Sequence, residues 1–298
     1  MGHNIDLEGA IDIHGHCGPS PYPRKVDGYE FAAEAADAGM DAIVMKEHLI
    51  PTAAGVSFID RLLERDDVDV EVFGGVVLNY CNGGFNPFAV QTAIDYGAKF
   101  VWAPTVDARN QEKETGSLGK LDDVGATAEE YTTVSGLSPL TETGELTEEA
   151  RLCIEKVVDN DIAFGVGHLS YEETERMVEY AAGLGHDKIV IDHPRFITEF
   201  SIDQQRTLVS YGAYINFVFA SIAPAYQWLT AEELYENIRA VGVDNSTVSS
   251  GMGQIYHPSS PEGLRVLGET LYREGLSTAE YDTLVKTNPA AVLGLSDQ

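Results

Sequence analysis

Positive charge is what this chain has least of. Its 298 residues include only 19 lysines and arginines against 48 aspartates and glutamates, a formal net charge of −29. The acids run through the whole sequence rather than one tail. Such a field repels nucleic acid and anionic membranes, so neither is expected as a partner. Chain-wide acidity also suits a salt-rich cytoplasm, where screening shortens repulsion to a few ångströms, and points to a salt-adapted organism. Cysteine is scarce too. Cys17, Cys81 and Cys153 show no paired or metal-knuckle spacing, which argues against a disulfide framework and fits a reducing compartment. No apolar run approaches the roughly 18 residues of a membrane span. The opening MGHNIDLEGA lacks the basic and apolar regions of a signal peptide and the Ser or Thr that myristoylation would want at its sixth position. The expectation is a soluble cytoplasmic protein acting on a small molecule, with homo-oligomers left open.

What is present is a regular alternation. With 44% hydrophobic residues the core is ample. Eight β-rich runs recur: AIDIH (10–14), DAIVMK (41–46), VEVFGGVVL (70–78), KFVWAP (99–104), IAFGVG (162–167), KIVID (188–192), AYINF (213–217) and TVSS (247–250). Most are continuously apolar, as parallel strands covered on both faces should be. Between them lie amphipathic segments. DGYEFAAEAADAG (27–39) carries Phe31, Ala35 and Ala38 along one side and ends at Gly39. TEEARLCIEKVVDN (147–160) carries Leu152, Ile154, Val157 and Val158, and SYEETERMVEYAAGLG (170–185) opens on the capping box Ser170 and Glu173. Eight strands alternating with helices at this spacing predict one α/β domain over 1–298, a (β/α)8 TIM barrel. The long acidic, Gly/Ser/Thr-rich stretch 108–146 after the fourth strand falls on the face where barrel active sites sit. It reads equally as a lid and as a solvated insertion.

Histidines mark that face. His14 and His16 end the first strand, His48 the second, His168 the fifth and His193 the sixth. In a parallel barrel these ends converge on one rim. Strand alternation lets Asp12, His14 and His16 all point inward, as it does Lys46 and His48. Imidazoles gathered from distant positions suit a transition metal. Of the other histidines, His3 lies in the N-terminal tail, His186 in a helix-to-strand turn, and His257 beyond the eighth strand. Asn79, with Asn82, Gly83 and Gly84, could cradle a carbonyl or phosphate. Arg109 and Arg195 lie just beyond strand ends, where a guanidinium can clamp a carboxylate.

The ordered set His-x-His, His168 and His193, with KTNPAAVLGL (286–295) at the C-terminus, resembles the amidohydrolase superfamily of metal-dependent hydrolases. The resemblance spans essentially the whole chain. KEH, PTVDARN, DHPRF and GQIYHPSSPEGL are further similar to an uncharacterised subgroup of such barrels. It implies that His14, His16, His168 and His193 ligate one or two divalent ions, zinc first, with manganese or iron as alternatives. It also implies that metal-activated water attacks an amide, cyclic amide, lactone or related bond. His48 is additional and resembles the Asp-His motif of the PHP phosphoesterases. Lys46, Asn79, Arg109 and Arg195 are the candidates for orienting an anionic substrate. The pattern departs from the superfamily twice. The fourth strand offers Thr105 or Asp107 where two-metal members often carry a carboxylated lysine. The eighth strand has Gly251 where the superfamily expects a proton-shuttling Asp, leaving His193, His257 or Asp107 to replace it. The alternatives are a metal- or ligand-binding barrel without chemistry and a PHP-like phosphoesterase.

Overall fold

The apolar runs form short parallel strands and the amphipathic segments form helices between them. In the computed structural model, which describes residues 5–120 and 133–295, the strands are β1 (Ile11–Gly15), β2 (Ala42–Met45), β3 (Glu71–Phe73), β4 (Gly75–Val77), β5 (Phe100–Trp102), β6 (Ala163–Gly165), β7 (Ile189–Asp192), β8 (Tyr214–Val218) and β9 (Ser246–Ser249). The helices are α1 (Gly28–Asp37), α2 (Ala53–Asp66), α3 (Pro87–Asp95), α4 (Arg109–Thr115), α5 (Glu148–Asp159), α6 (Tyr171–Gly183), α7 (Ile202–Ser210), α8 (Ala231–Val241), α9 (Ser260–Glu274), α10 (Thr278–Asp282) and α11 (Asn288–Leu293). The strands pair in parallel, β1 to β3 and β4 to β9, each next to its sequence neighbour. The ends meet through the backbone. Gly251 N–H donates to His14 O (2.8 Å) and His16 N–H to Met252 O (2.7 Å), making a (β/α)8 barrel.

The expected third strand is split at Gly74. The start of α2 packs so closely there that a Cβ would sit 2.6 Å from Ala53 N. Thr52 and Gly75 then exchange bonds, Thr52 N–H to Gly75 O and Gly75 N–H to Thr52 Oγ1, both 2.9 Å. Helix starts follow local chemistry. Asp27 and Ser170 form capping boxes with Glu30 and Glu173, and Thr147 accepts from Ala150 N–H. In α5 the buried stripe is Ala150, Cys153, Ile154 and Val157, while Leu152 is 39% exposed. The i, i+3, i+4, i+7 face wins over the larger residue.

Inside the barrel, Ile11, Ile13, Val44, Val77, Phe100 and Trp102 form one cluster, joined by Val292 and Leu293 of α11. Phe100 and Trp102 stack at 4.2 Å. This corrects the expected face of β1. Ile11 and Ile13 point inward, and Asp12 accepts from Ser250 N–H (3.2 Å) and from the Ser260 hydroxyl of α9. A register shift between Asp12 and Gly15 then re-aims the strand end. His14 and His16 face the cavity because of this irregularity, not because of simple alternation.

The 108–146 stretch is less featureless than its composition suggests. It begins with α4, and Leu137 returns to the rim through Leu137 N–H to Asp107 O (2.7 Å) and Arg109 N–H to Leu137 O (2.8 Å). Residues 121–132, on which the lid expectation also rests, lie outside the described residues, as does His3. No helix among the described residues is long and apolar enough to cross a membrane.

Candidate metal centre

The five strand-end histidines form a closed ring. Successive ring centroids lie 5.1 Å apart for His14–His16, 5.0 Å for His16–His48, 6.3 Å for His48–His168, 5.2 Å for His168–His193 and 5.3 Å for His193–His14. They line a cavity of about 30 Å³ with Phe196, Tyr226 and Gln254. On the same measure one water needs about 10–15 Å³, so an ion and a water fit.

Four of the five are latched at Nδ1. His14 Nδ1 pairs with Asp192 Oδ1 (2.9 Å) and His16 Nδ1 with Lys46 O (2.8 Å). His48 Nδ1 meets Thr105 Oγ1 and His168 Nδ1 meets Gln111 Oε1, both at 2.8 Å. At His14, His16 and His168 the partner is a carboxylate or carbonyl oxygen that can only accept, so Nδ1 carries the proton and Nε2 keeps its lone pair, the arrangement that prepares an imidazole to bind metal, whereas the Thr105 hydroxyl beside His48 can donate or accept. Burial pulls the pKa of every ring down. Beside His16 and His48 the charge of Arg24 adds to that, and His193 falls to about 3. All five are therefore neutral, as metal ligands must be. His48 Nε2 and His193 Nδ1 are buried with no hydrogen-bond partner among the described residues. His193 also stands at φ +33°, a strained position held by its N–H to Asn216 O (2.8 Å).

These features fit a divalent ion. Among the described residues no three His, Cys, Asp or Glu side chains are already drawn together as an ion-holding group. The rings would have to close inward on the ion.

Beneath the ring lies an ion pair. Lys46 Nζ meets Asp192 Oδ2 at 3.1 Å and sits 4.9 Å from the Trp102 ring. Burial opposes the Asp192 charge, yet Lys46 and His14 hold its pKa well below the usual carboxylate range. Lys46, expected to orient a substrate, is thus buried and committed to Asp192.

The other expected site residues divide similarly. Asn79 donates to His48 O and Thr105 Oγ1 and accepts from Thr105 and Asp107 N–H, so it braces strand ends. Asp107 accepts from Tyr80 N–H (2.8 Å). Arg109 opens onto a separate surface groove with Lys113 and Glu172, and Arg195 is half-buried outside the cavity lining. His257 lies one layer out, its ring 5.2 Å from that of Tyr226, which does line the cavity. Of the three proposed proton shuttles, His193 alone reaches the lining.

Gly251 lines the cavity where an acid was sought. Its φ is +62°, and a Cβ there would sit 3.0 Å from Ala220 Cβ and 3.1 Å from Val218 Cβ. Restoring the acid by Gly251→Asp therefore strains the backbone. Gly251→Ala alone is expected to lower unfolding stability by about 1–2 kcal/mol in urea titration. An unchanged midpoint would show that the turn relaxes.

Sequence reading missed Asp192, Gln111, Arg24 and Gln254. Asp192 was legible, since Val190 and Asp192 share a face of β7. Gln111 carried no signal, because its role depends on α4 turning back over His168, where Asn110 Nδ2 also donates to His168 O (3.2 Å).

The profile of a family described as a family of unknown function (DUF6282) matches residues 9–216, a span that includes all five histidines and stops before Gly251. No curated protein matches the chain. Among solved structures, a probable dipeptidase from Pseudomonas aeruginosa superposes with a TM-score of 0.62 at 12% identity, covering 97% of this chain and 95% of that one. An amidohydrolase from the same organism gives 0.60 at 10% identity over 96% and 95%. A putative 2-pyrone-4,6-dicarboxylic acid hydrolase from Pseudomonas putida gives 0.56 at 13% identity over 96% and 98%. These neighbours are amidohydrolase-superfamily members, and at such identities the likeness establishes a shared fold.

Proposed function

The chain belongs to the DUF6282 family, whose function is unknown, and from that premise we propose that it is a metal-dependent hydrolase of a small substrate. The observation that carries the reading is the ring of five neutral, rim-facing imidazoles, four of them latched at Nδ1. His14, His16, His168 and His193 would hold the first ion, with His48 able to share a second. A bound divalent ion supplies Lewis acidity and makes water nucleophilic near neutral pH. The chain's own residues do the rest. Asp192, the Lys46 carbonyl and Gln111 keep the Nδ1 protons in place, so that Nε2 points to the cavity. His193, whose Nδ1 has no partner among the described residues, could move a proton where Gly251 offers none only in a state in which the other rings hold the ion, because a neutral imidazole has a single lone pair. Phe196, Tyr226 and Trp228 meet edge to face at 5.3 and 4.9 Å beside His193, and Phe196 and Tyr226 give the cavity an apolar side. The neighbours' described activities, on dipeptides and on a dicarboxylic acid, are consistent with attack at a carbonyl.

Gly251 favours a second reading, a metal- or ligand-binding barrel without chemistry. A panel of amides, dipeptides, lactones and phosphoesters, assayed with zinc, manganese or iron, separates the possibilities. Hydrolysis of a carbonyl substrate that needs metal and falls at least about 100-fold in His193→Ala is expected. Activity confined to phosphoesters would favour the PHP-like alternative, and metal uptake without any turnover would favour the silent barrel.

A further inference from the structure

Arg24 is an arginine with nowhere obvious to put its charge. Its side chain is 3% exposed, yet Nε, Nη1 and Nη2 all lack a hydrogen-bond partner among the described residues. The nearest carboxylate, Glu47 Oε1, is 3.9 Å from Nη2, too far to accept a hydrogen bond. Glu47 is in any case engaged by the Ser20 hydroxyl and by Leu49 and Ile50 N–H. Guanidinium is always charged, and a buried charge without hydrogen bonds is strongly disfavoured unless something else completes it.

Its place in the fold says what it faces. Arg24 and Gln254 form an isolated antiparallel bridge, reinforced by Lys25 N–H to Gly253 O (2.8 Å). Residues opposite one another in such a pair project to the same side. Gln254 lines the histidine cavity, and its Oε1 is likewise buried without a partner. On the other flank the guanidinium carbon lies 5.6 Å from the Tyr22 ring, which stands edge-on to His48 at 5.9 Å.

We propose that Arg24 is the substrate-positioning residue of this site, binding a carboxylate of the substrate between the histidine ring and Gln254. A planar guanidinium with free N–H groups matches a carboxylate through two parallel hydrogen bonds. A monoanion fits better than a phosphate dianion because Glu47 already contributes one negative charge beside it. Arg24 is buried and lowered by burial against the pull of Glu47, and its charge reaches His16 and His48. Arg24 itself is not among the residues that line the cavity; Gln254, opposite it, is. The assignment deepens the hydrolase reading by naming its substrate class, and it replaces Lys46, Arg109 and Arg195 in that role.

Benzoate and its neutral isostere benzamide test this, because they share a shape and differ in charge, so a preference between them reads the guanidinium. Binding is measured by calorimetry on wild type, Arg24→Gln and Arg24→Lys, each metal-loaded and chelator-stripped, with inorganic phosphate as the third probe. Wild type is expected to bind benzoate about 10- to 100-fold more tightly than benzamide, with and without metal. Arg24→Gln erases the preference and Arg24→Lys keeps part of it. Because the guanidinium makes no hydrogen bond among the described residues, ligand-free Arg24→Gln should melt no lower than wild type. Equal binding of the two probes, preference for phosphate, or a melting loss in Arg24→Gln with benzoate selectivity intact would each overturn the assignment. Selectivity in a protein that never takes up metal would sink the hydrolase reading alone. Metal uptake without selectivity would sink Arg24 alone.

Discussion

Protein purified without chelator or an added histidine tag is expected to carry one or two equivalents of zinc, manganese or iron, and His14→Ala/His16→Ala to carry essentially none. The reason is positional. These two imidazoles occupy adjacent places in the ring, 5.1 Å apart, and each is held by an acceptor at Nδ1. Removing both takes away two Nε2 donors and leaves Asp192 and the Lys46 carbonyl with nothing to orient. Binding to the native state alone stabilises it by mass action, about 2.7 kcal/mol when free metal is 100-fold above Kd. Chelation should therefore lower the melting temperature of wild type and leave the double variant unmoved. Elemental analysis beside paired melting curves checks both statements. If neither protein holds metal after reconstitution, the histidine ring serves something else and the hydrolase reading falls.

The second large effect concerns the pair beneath the ring. Asp192→Asn is expected to destabilise the protein by about 3–5 kcal/mol in urea unfolding, because it leaves the Lys46 ammonium buried without its counter-charge. The same change weakens the hold on His14 Nδ1, so metal affinity should fall about 10- to 100-fold. Lys46→Met leaves Asp192 with His14 and Asn216 Nδ2 (3.3 Å) and should be milder for metal than for stability. A double-mutant cycle separates the two effects, since residues in direct contact couple non-additively. A loss below about 1 kcal/mol for Asp192→Asn would mean that Lys46 is neutral or solvated in solution, and the floor of the site would need another account.

Much of this is legible in the amino-acid sequence. Parallel strands buried on both faces must be continuously apolar, so VWA, FGV and KIVID declared themselves as barrel strands. A polar residue ending such a run has only the rim to occupy, which is why His14, His16, His48, His168 and His193 could be placed together. What failed did so for specific reasons. Lys46 has the same parity as His48 and looked available, but parity does not report depth. One pleat lower, it meets Asp192 and the face of Trp102 instead of solvent. Asn79, in a glycine-containing loop, looked like a ligand cradle. Its amide instead bridges two strand ends, a demand created only when β4 and β5 lie side by side.

The amino-acid sequence by itself determined the period of strands and helices, the helix caps and the presence of five histidines at strand ends, because these depend on local propensity and on the geometry of one segment at a time. Tertiary structure alone decided which atoms those histidines present. The β1 register shift turns His14 and His16 inward, α4 brings Gln111 to His168, and a backbone bridge pairs Arg24 with Gln254 of the cavity wall. Each of these joins residues far apart in the chain, and the strength of a charge or hydrogen bond depends on what surrounds it after folding.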